Sequence, residues 1–188
     1  MEVKLHLGCG DKMFPGWVHV DARNLGHVDY VCDLRDLREF EDESVDEIYA
    51  CHVLEHFGRH EVSGVLEEWA RVLREGGRVR IAVPDFAAIC TQYSESGTIG
   101  ELLGLVCGGQ RDEFDYHKMI FDFEFLKGLL ENAGLTGVRR YDWRETEHAA
   151  IDDYSQSYLP HMDKHEGRLM SLNVEAFKRT SGARETNE

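Results

Sequence analysis

Two glycines and an acid carry the first chemistry in this sequence. Val3, Leu5 and Leu7 make an apolar run that enters Gly8-Cys9-Gly10, and a second extended run, Trp17 to Val20, ends on Asp21. A glycine turn after a strand lets a ligand approach backbone with no side chain in the way. An acid at the tip of the next strand accepts both hydroxyls of a ribose. Together they predict a nucleoside pocket. The third glycine of the dinucleotide fingerprint G-x-G-x-x-G would fall at Met13, and no Gly-Lys-Ser/Thr follows Gly10 to make a P-loop. Farther on, His52-x-x-Glu55-His56 has the H-x-x-E-H spelling of an inverted zinc-peptidase motif. On a helix, its two histidines would share a face for zinc, with Glu55 as base. His52 directly follows a strand, however, and no separate acidic ligand is obvious. Zinc hydrolysis is therefore a remote alternative, and no metal is expected.

The elements that must position these residues follow from the apolar pattern. Strands are predicted at residues 3–7, 17–21, 28–32, 45–51 and 78–84, with Pro84 marking the exit of the fifth. Only nine residues separate the first two, too few for a crossover helix, so 11–16 is at most one helical turn or a compact loop. Val62, Val65, Leu66, Trp69, Val72 and Leu73 have helical spacing over 61–75, and Gly76-Gly77 is the expected stop. Helices are predicted at 86–95 and 99–106, and a third is capped by Asp122, buries Leu126, Leu129, Leu130 and Ala133, and closes at Gly134. Strands at 138–143 and 169–177 flank a His/Tyr/Asp-rich loop, 147–167. Short apolar strands alternating with helices or turns predict an α/β doubly wound sheet covered on both faces. Ligands bind such sheets beyond the carboxyl ends of the strands, the edge that would gather the glycine turn, Asp21, Asp33, His52 and Asp85. One domain is expected over 1–179, with a lid insertion at about 86–119 and a frayed tail at 180–188.

Composition narrows the partners. The net charge of −15 disfavours a nucleic-acid substrate. No apolar run approaches a membrane span, and the first residues carry no signal-peptide pattern, so no membrane insertion is expected. Cys9, Cys32, Cys51, Cys90 and Cys107 form an odd set without a C-x-x-C pair, as suits the reducing cytoplasm. The pattern leaves the oligomeric state open.

The ordered set of segments resembles the class I S-adenosylmethionine-dependent methyltransferases. Leu7-Gly8-Cys9-Gly10 is similar to their first motif, Val20-Asp21 to the acid that holds the cofactor ribose, and Asp33-Leu34 to the acid and apolar pair that meets the adenine. Val53-Leu54-Glu55-His56 resembles the segment after strand four, Leu73-Arg74-Glu75-Gly76-Gly77 the turn before strand five, and Phe125 to Leu135 the helix before strand six. The spacing from Gly-Cys-Gly to Pro15-Gly16-Trp17 is similar to a small subgroup often linked with cell-surface polysaccharide synthesis. The resemblance implies a Rossmann-like, mostly parallel seven-stranded sheet with an antiparallel last strand, and S-adenosyl-L-methionine as cofactor. It implies cofactor contacts from Gly8, Cys9, Gly10, Asp21, Ala22, Asp33, Leu34 and His52. The chain departs from the family in lacking most of the helix after strand one and those before it. That leaves 86–119 and 147–167 to cover the acceptor.

The implied reaction is in-line displacement at a sulfonium methyl carbon, in which the protein aligns the acceptor and excludes water. A small-molecule acceptor is expected, with a hydroxyl of a sugar or small metabolite favoured. A hydroxyl needs a base, and histidine is suited near neutral pH. His117, in Tyr116-His117-Lys118, leads the candidates, ahead of His56, Asp85, Tyr158 and His161. Tyr154 and Tyr158 offer rings for stacking. The alternative within the same fold is a catalytically silent nucleoside-binding or regulatory subunit.

Overall fold

The computed structural model describes residues 2–181. Seven strands form one sheet: β1 (Lys4–Leu7), β2 (Val18–Asp21), β3 (Tyr30–Val31), β4 (Val45–Cys51), β5 (Leu73–Pro84), β6 (Leu135–Arg140) and, last in sequence, β9 (Ser171–Lys178). Their order is β3-β2-β1-β4-β5-β9-β6. The first five pair in parallel, and β9 runs antiparallel to both β5 and β6. This is the doubly wound, mostly parallel architecture expected, with the last strand reversed. Two short strands, β7 (Tyr158–Leu159) and β8 (Arg168–Leu169), pair within the late loop.

One sheet face is apolar. Leu5, Leu7, Ile48, Ala50, Val79, Ile81, Val83, Leu172 and Val174 bury against α1 (Val62–Val72) and α4 (Phe123–Asn132). Helix α1 offers Val62, Val65, Leu66 and Trp69 at helical spacing, and the Trp69 indole donates to the Leu34 carbonyl. Asp122 caps α4 as expected, its carboxylate accepting from the Phe125 amide at 2.8 Å.

The opposite face differs from the expectation of a helical cover. Around Tyr49 it carries Phe14, Trp17 and His148, brought by the loops before β2 and after β6. Nearer its other side it carries an ion-pair ladder: Glu47 holds Arg78 and Arg80, and Glu175 holds Arg80 and Arg139. The short 11–16 segment cannot form a crossover helix, so loops and paired charges finish this face.

Three boundaries move. Helix α1 ends at Val72, and Gly76-Gly77 lies inside β5, where the pairing with β4 shifts register between Val45 and Glu47. A Cβ on Gly77 would stand 2.8 Å from the Arg74 carbonyl oxygen, so this bulge requires glycine. Strand β6 begins at Leu135 rather than Val138, because pairing with β9 starts at Leu135–Lys178, and Trp143 opens a 3-10 turn instead. Helix α2 (Phe86–Ser96) is followed by a 3-10 turn at Gly100–Leu102 and the short α3 (Leu103–Cys107). All five cysteines are free thiols. Among the described residues no helix is long and apolar enough to cross a membrane. Most of the expected 180–188 tail lies outside the described residues.

Candidate active site

The carboxyl ends of β1, β2 and β4 open into a cleft of about 960 Å³. Its floor is the glycine turn. Gly8 and Gly10 adopt φ of +61° and +55°, which side chains resist. A Cβ on Gly8 would come within 2.4 Å of the Val53 side chain, so only glycine fits against Val53 here. The turn is fastened to β2: Gly8 donates to the Val20 carbonyl at 2.7 Å, and Gly10 to a carboxylate oxygen of Asp21 at 2.9 Å. Asp21 is itself buried, and Arg23 reaches back to its other oxygen at 3.1 Å. The Arg23 guanidinium stands 3.9 Å from Asp112 of the lid.

Farther along, Ala22, Asp33 and Leu34 line the cleft. Leu34 belongs to the core as well. Asp33 is exposed and gripped by Arg35, whose hydrogen bonds hold its carboxyl below the usual carboxylate range. The lid contributes residues 111–115, and the late loop contributes Asp153 and Tyr154. Tyr154 packs near the His52 ring, with centroids 5.2 Å apart.

His52 lines the cleft from the tip of β4 at φ +53°, a conformation rare outside glycine. Burial lowers its pKa to about 3, with His117 and His56 adding to the effect. His56 also lines the cleft. His117, the leading base candidate, does not: its ring lies behind that of His56, edge to face at 4.9 Å between centroids. Behind them is Glu55, fully buried, its pKa pushed up to about 8 by desolvation. Asp85 is corrected more strongly. It lies at the strand edge, but its carboxylate caps α2 by accepting from Ala87 and Ala88 and pairs with Arg140 at 3.2 Å, outside the cleft. Tyr158 is buried with its hydroxyl against Trp143 and Arg144, and His161 is exposed away from the cleft. The H-x-x-E-H spelling is also not helical. His52 precedes a 3-10 turn at Leu54–His56, so the two histidines do not share a helix face.

A family model described as a methyltransferase domain matches residues 13–81, beginning just past the glycine turn. A S-adenosylmethionine-dependent methyltransferase from Archaeoglobus fulgidus superposes with a TM-score of 0.58 at 17% identity, over 94% of this chain and 86% of that one. The stretch 13–81 thus matches a methyltransferase domain, and the whole chain shares the fold of such enzymes. Other methyltransferase structures agree in fold. One from Thermotoga maritima gives a TM-score of 0.58 at 14% identity, over 95% of this chain and 83% of that one. The 1,6-didemethyltoxoflavin-N1-methyltransferase of Burkholderia thailandensis, with its acceptor and S-adenosylhomocysteine bound, gives 0.55 at 16% identity, over 95% and 71%. No curated protein matches the sequence. A glycine turn at positive φ, fastened to a buried strand-end carboxylate, fits S-adenosylmethionine, the cofactor on which the Archaeoglobus fulgidus enzyme depends.

Sequence reasoning missed Arg23, Arg35 and Asp153. A signal for the first two was present. Asp21-Ala-Arg23, Asp33-Leu-Arg35, Asp36-Leu-Arg38 and Asp142-Trp-Arg144 repeat one spacing, and in each the arginine turns back onto its aspartate. Asp153 accepts from the Tyr49 hydroxyl at 2.7 Å, a contact across 104 positions that no local pattern announces.

Proposed function

We propose that this protein is an S-adenosylmethionine-dependent methyltransferase that methylates a hydroxyl of a small molecule, such as a sugar or small metabolite, in the cleft beyond β1, β2 and β4. The observation that carries this reading is the continuity of that cleft. The glycine turn and Asp21 lie at one end, and His52, His56 and Tyr154 at another part of its wall. In this reading Gly8, Cys9 and Gly10 offer close backbone, Asp21 takes the ribose hydroxyls, and Ala22, Asp33 and Leu34 border the adenine. His52 stands beside the reacting centre. Bound there, the cofactor supplies an activated methyl group and its own leaving group. The acceptor's proton goes to the pair His56 and His117, with Glu55 behind them. Burial lowers the pKa of both histidines, which keeps them in the neutral form that accepts protons near pH 7.

Residues up to 179 act as one methyltransferase unit with 86–119 as its lid. Support comes from residues 111–115, which line the cleft, and from the approach of Asp112 to Arg23. The acidic balance of −15 favours a small molecule over nucleic acid as acceptor. Five free thiols suit a reducing cytoplasm.

The test is calorimetric titration with S-adenosylhomocysteine. Micromolar binding is expected for the wild type. Asp21→Ala removes two charge-assisted hydrogen bonds, worth roughly 1.5–3 kcal/mol each, and is expected to weaken binding by at least tenfold. A folded wild-type protein that binds no S-adenosylhomocysteine would sink the reading. Turnover of any small hydroxyl acceptor excludes the silent-subunit alternative.

A further inference from the structure

A second cluster of chemistry lies just behind the cleft wall. The 3-10 turn Leu54–His56 is pinned to the end of the lid, because the amides of Lys118 and Met119 both donate to the Glu55 carbonyl, at 2.8 and 3.1 Å. That tether brings His117 beside Glu55 and His56, and donor atoms from the three residues all lie within 4.8 Å of one another. Glu55 has no exposed surface, and among the described residues neither of its carboxylate oxygens has a hydrogen-bond partner. Nδ1 of His52 approaches one of them to 3.2 Å without hydrogen-bonding geometry. Burying a carboxylate in this way is costly unless something binds it.

Both imidazoles are held for such binding. Nδ1 of His56 lies 3.1 Å from the Tyr116 carbonyl, and Nδ1 of His117 lies 2.9 Å from the Leu105 carbonyl. A carbonyl only accepts, so in the neutral rings each Nδ1 carries the hydrogen and each Nε2 keeps a lone pair. Nε2 of His117 is 3.9 Å from Oε1 of Glu55. Backbone carbonyls that fix the far nitrogen are the common outer support of metal-bound histidines.

We propose that Glu55, His56 and His117 bind one divalent first-row transition-metal ion at the wall of the cleft. Two imidazoles and a carboxylate suit zinc, iron or manganese rather than an all-oxygen calcium cage. Donor atoms sharing a tetrahedral ion sit roughly 3.3 Å apart at bond lengths near 2 Å, so the cluster closes by a contraction on the order of an ångström. Three protein ligands leave a coordination position open, and His56 lines the cleft, so that position is reached from the acceptor side. With an ion bound there, an acceptor hydroxyl would be held with a lowered pKa, and its proton would leave to water in the cleft rather than to the two histidines, whose lone pairs are then on the ion. This last step rests on the hydroxyl-acceptor reading; the metal site itself does not. It departs from the expectation of a metal-free pocket.

The experiment is titration of the chelator-treated full chain with Co²⁺, followed by visible absorption and calorimetry. The same samples are titrated with S-adenosylhomocysteine. One cobalt per chain with micromolar affinity is expected, together with visible bands of nitrogen and oxygen ligation. His56→Ala and His117→Ala are each expected to weaken cobalt binding by about 10–100-fold while S-adenosylhomocysteine still binds. The His56 variant serves if removal of the His117 ring prevents folding. No cobalt uptake by the wild type at about 1 mM, or uptake unchanged in His56→Ala, overturns the site. Cobalt binding without any binding of S-adenosylhomocysteine supports the metal site and refutes the methyltransferase pocket, so the two failures stay distinct.

Discussion

At the scale of single residues, Asp21 does more than its position in the sequence implies. Spacing alone marks it as a ribose acceptor, and the structure adds that it shapes the glycine turn through the Gly10 amide and holds Arg23. Gly8 and Gly10 are legible because few residue types serve where φ is positive and space is short. The arginines are harder to anticipate, since their long side chains choose partners only after the backbone is placed. His117 is legible as a reactive residue near the lid, but not as one behind His56, because the Glu55 tether that seats it spans more than 60 positions. The sharpest residue-scale test is Gly8→Ala. The left-handed φ alone costs roughly 1–2 kcal/mol, and the approach of 2.4 Å to Val53 adds to it. Gly8→Ala is expected to lose at least about 2 kcal/mol in urea unfolding, and Val53→Ala in the same chain to restore part of that. Purely additive losses would show that the Val53 contact is not the cause.

Among the elements, α1 and α4 are readable because one face of each is apolar at helical spacing, and in α4 the Asp122 cap marks the start as well. Strand β5 was only partly readable. A pair of glycines after a helix usually means a stop, yet here they sit in a bulge that lets β5 begin directly from α1. The polar sheet face was not readable at all, because Glu47, Arg78, Arg80 and Glu175 resemble ordinary solvent-facing charges until the strands are aligned. Glu175 is nearly buried and accepts from Arg80 at 3.0 Å and Arg139 at 2.7 Å. Removing it leaves the largely buried Arg80 with only a 3.5 Å contact to Glu47. Glu175→Ala is therefore expected to cost about 3 kcal/mol in denaturant unfolding. Arg139→Ala, at a side chain 64% exposed, is expected to cost less than about 1 kcal/mol. Equal losses would mean that the ladder acts through surface attraction alone.

For the molecule as a whole, the same face sets its response to acid. The Phe14 ring lies stacked between His6, at 4.2 Å, and His148, at 4.4 Å. Burial holds the two imidazoles down to pKa values of about 3 and about 4, against an ordinary 6.5. The unfolded chain takes up protons below pH 6.5 while the folded one resists them. Their contribution is thus complete above pH 6.5 and is lost as pH falls toward 4, by up to about 2 kcal/mol per histidine at pH 5. Among the described residues neither nitrogen of His148 has a hydrogen-bond partner, so His148→Phe is expected to preserve the stack and flatten the fall in melting temperature between pH 7 and pH 5. An unchanged slope would clear His148 of the effect. Strand β9 has a consequence of another kind. It lies between β5 and β6, and among the described residues β6 pairs with no other strand. During translation, a nascent chain that has reached residue 140 still carries a bare edge on β5 and an unattached β6. At about 5–20 residues per second, the stretch to residue 171 keeps both exposed for roughly 2–6 seconds. Through that interval the newborn protein offers neighbouring chains the edge reserved for its own last strand, which makes synthesis the stage at which it is most prone to aggregate.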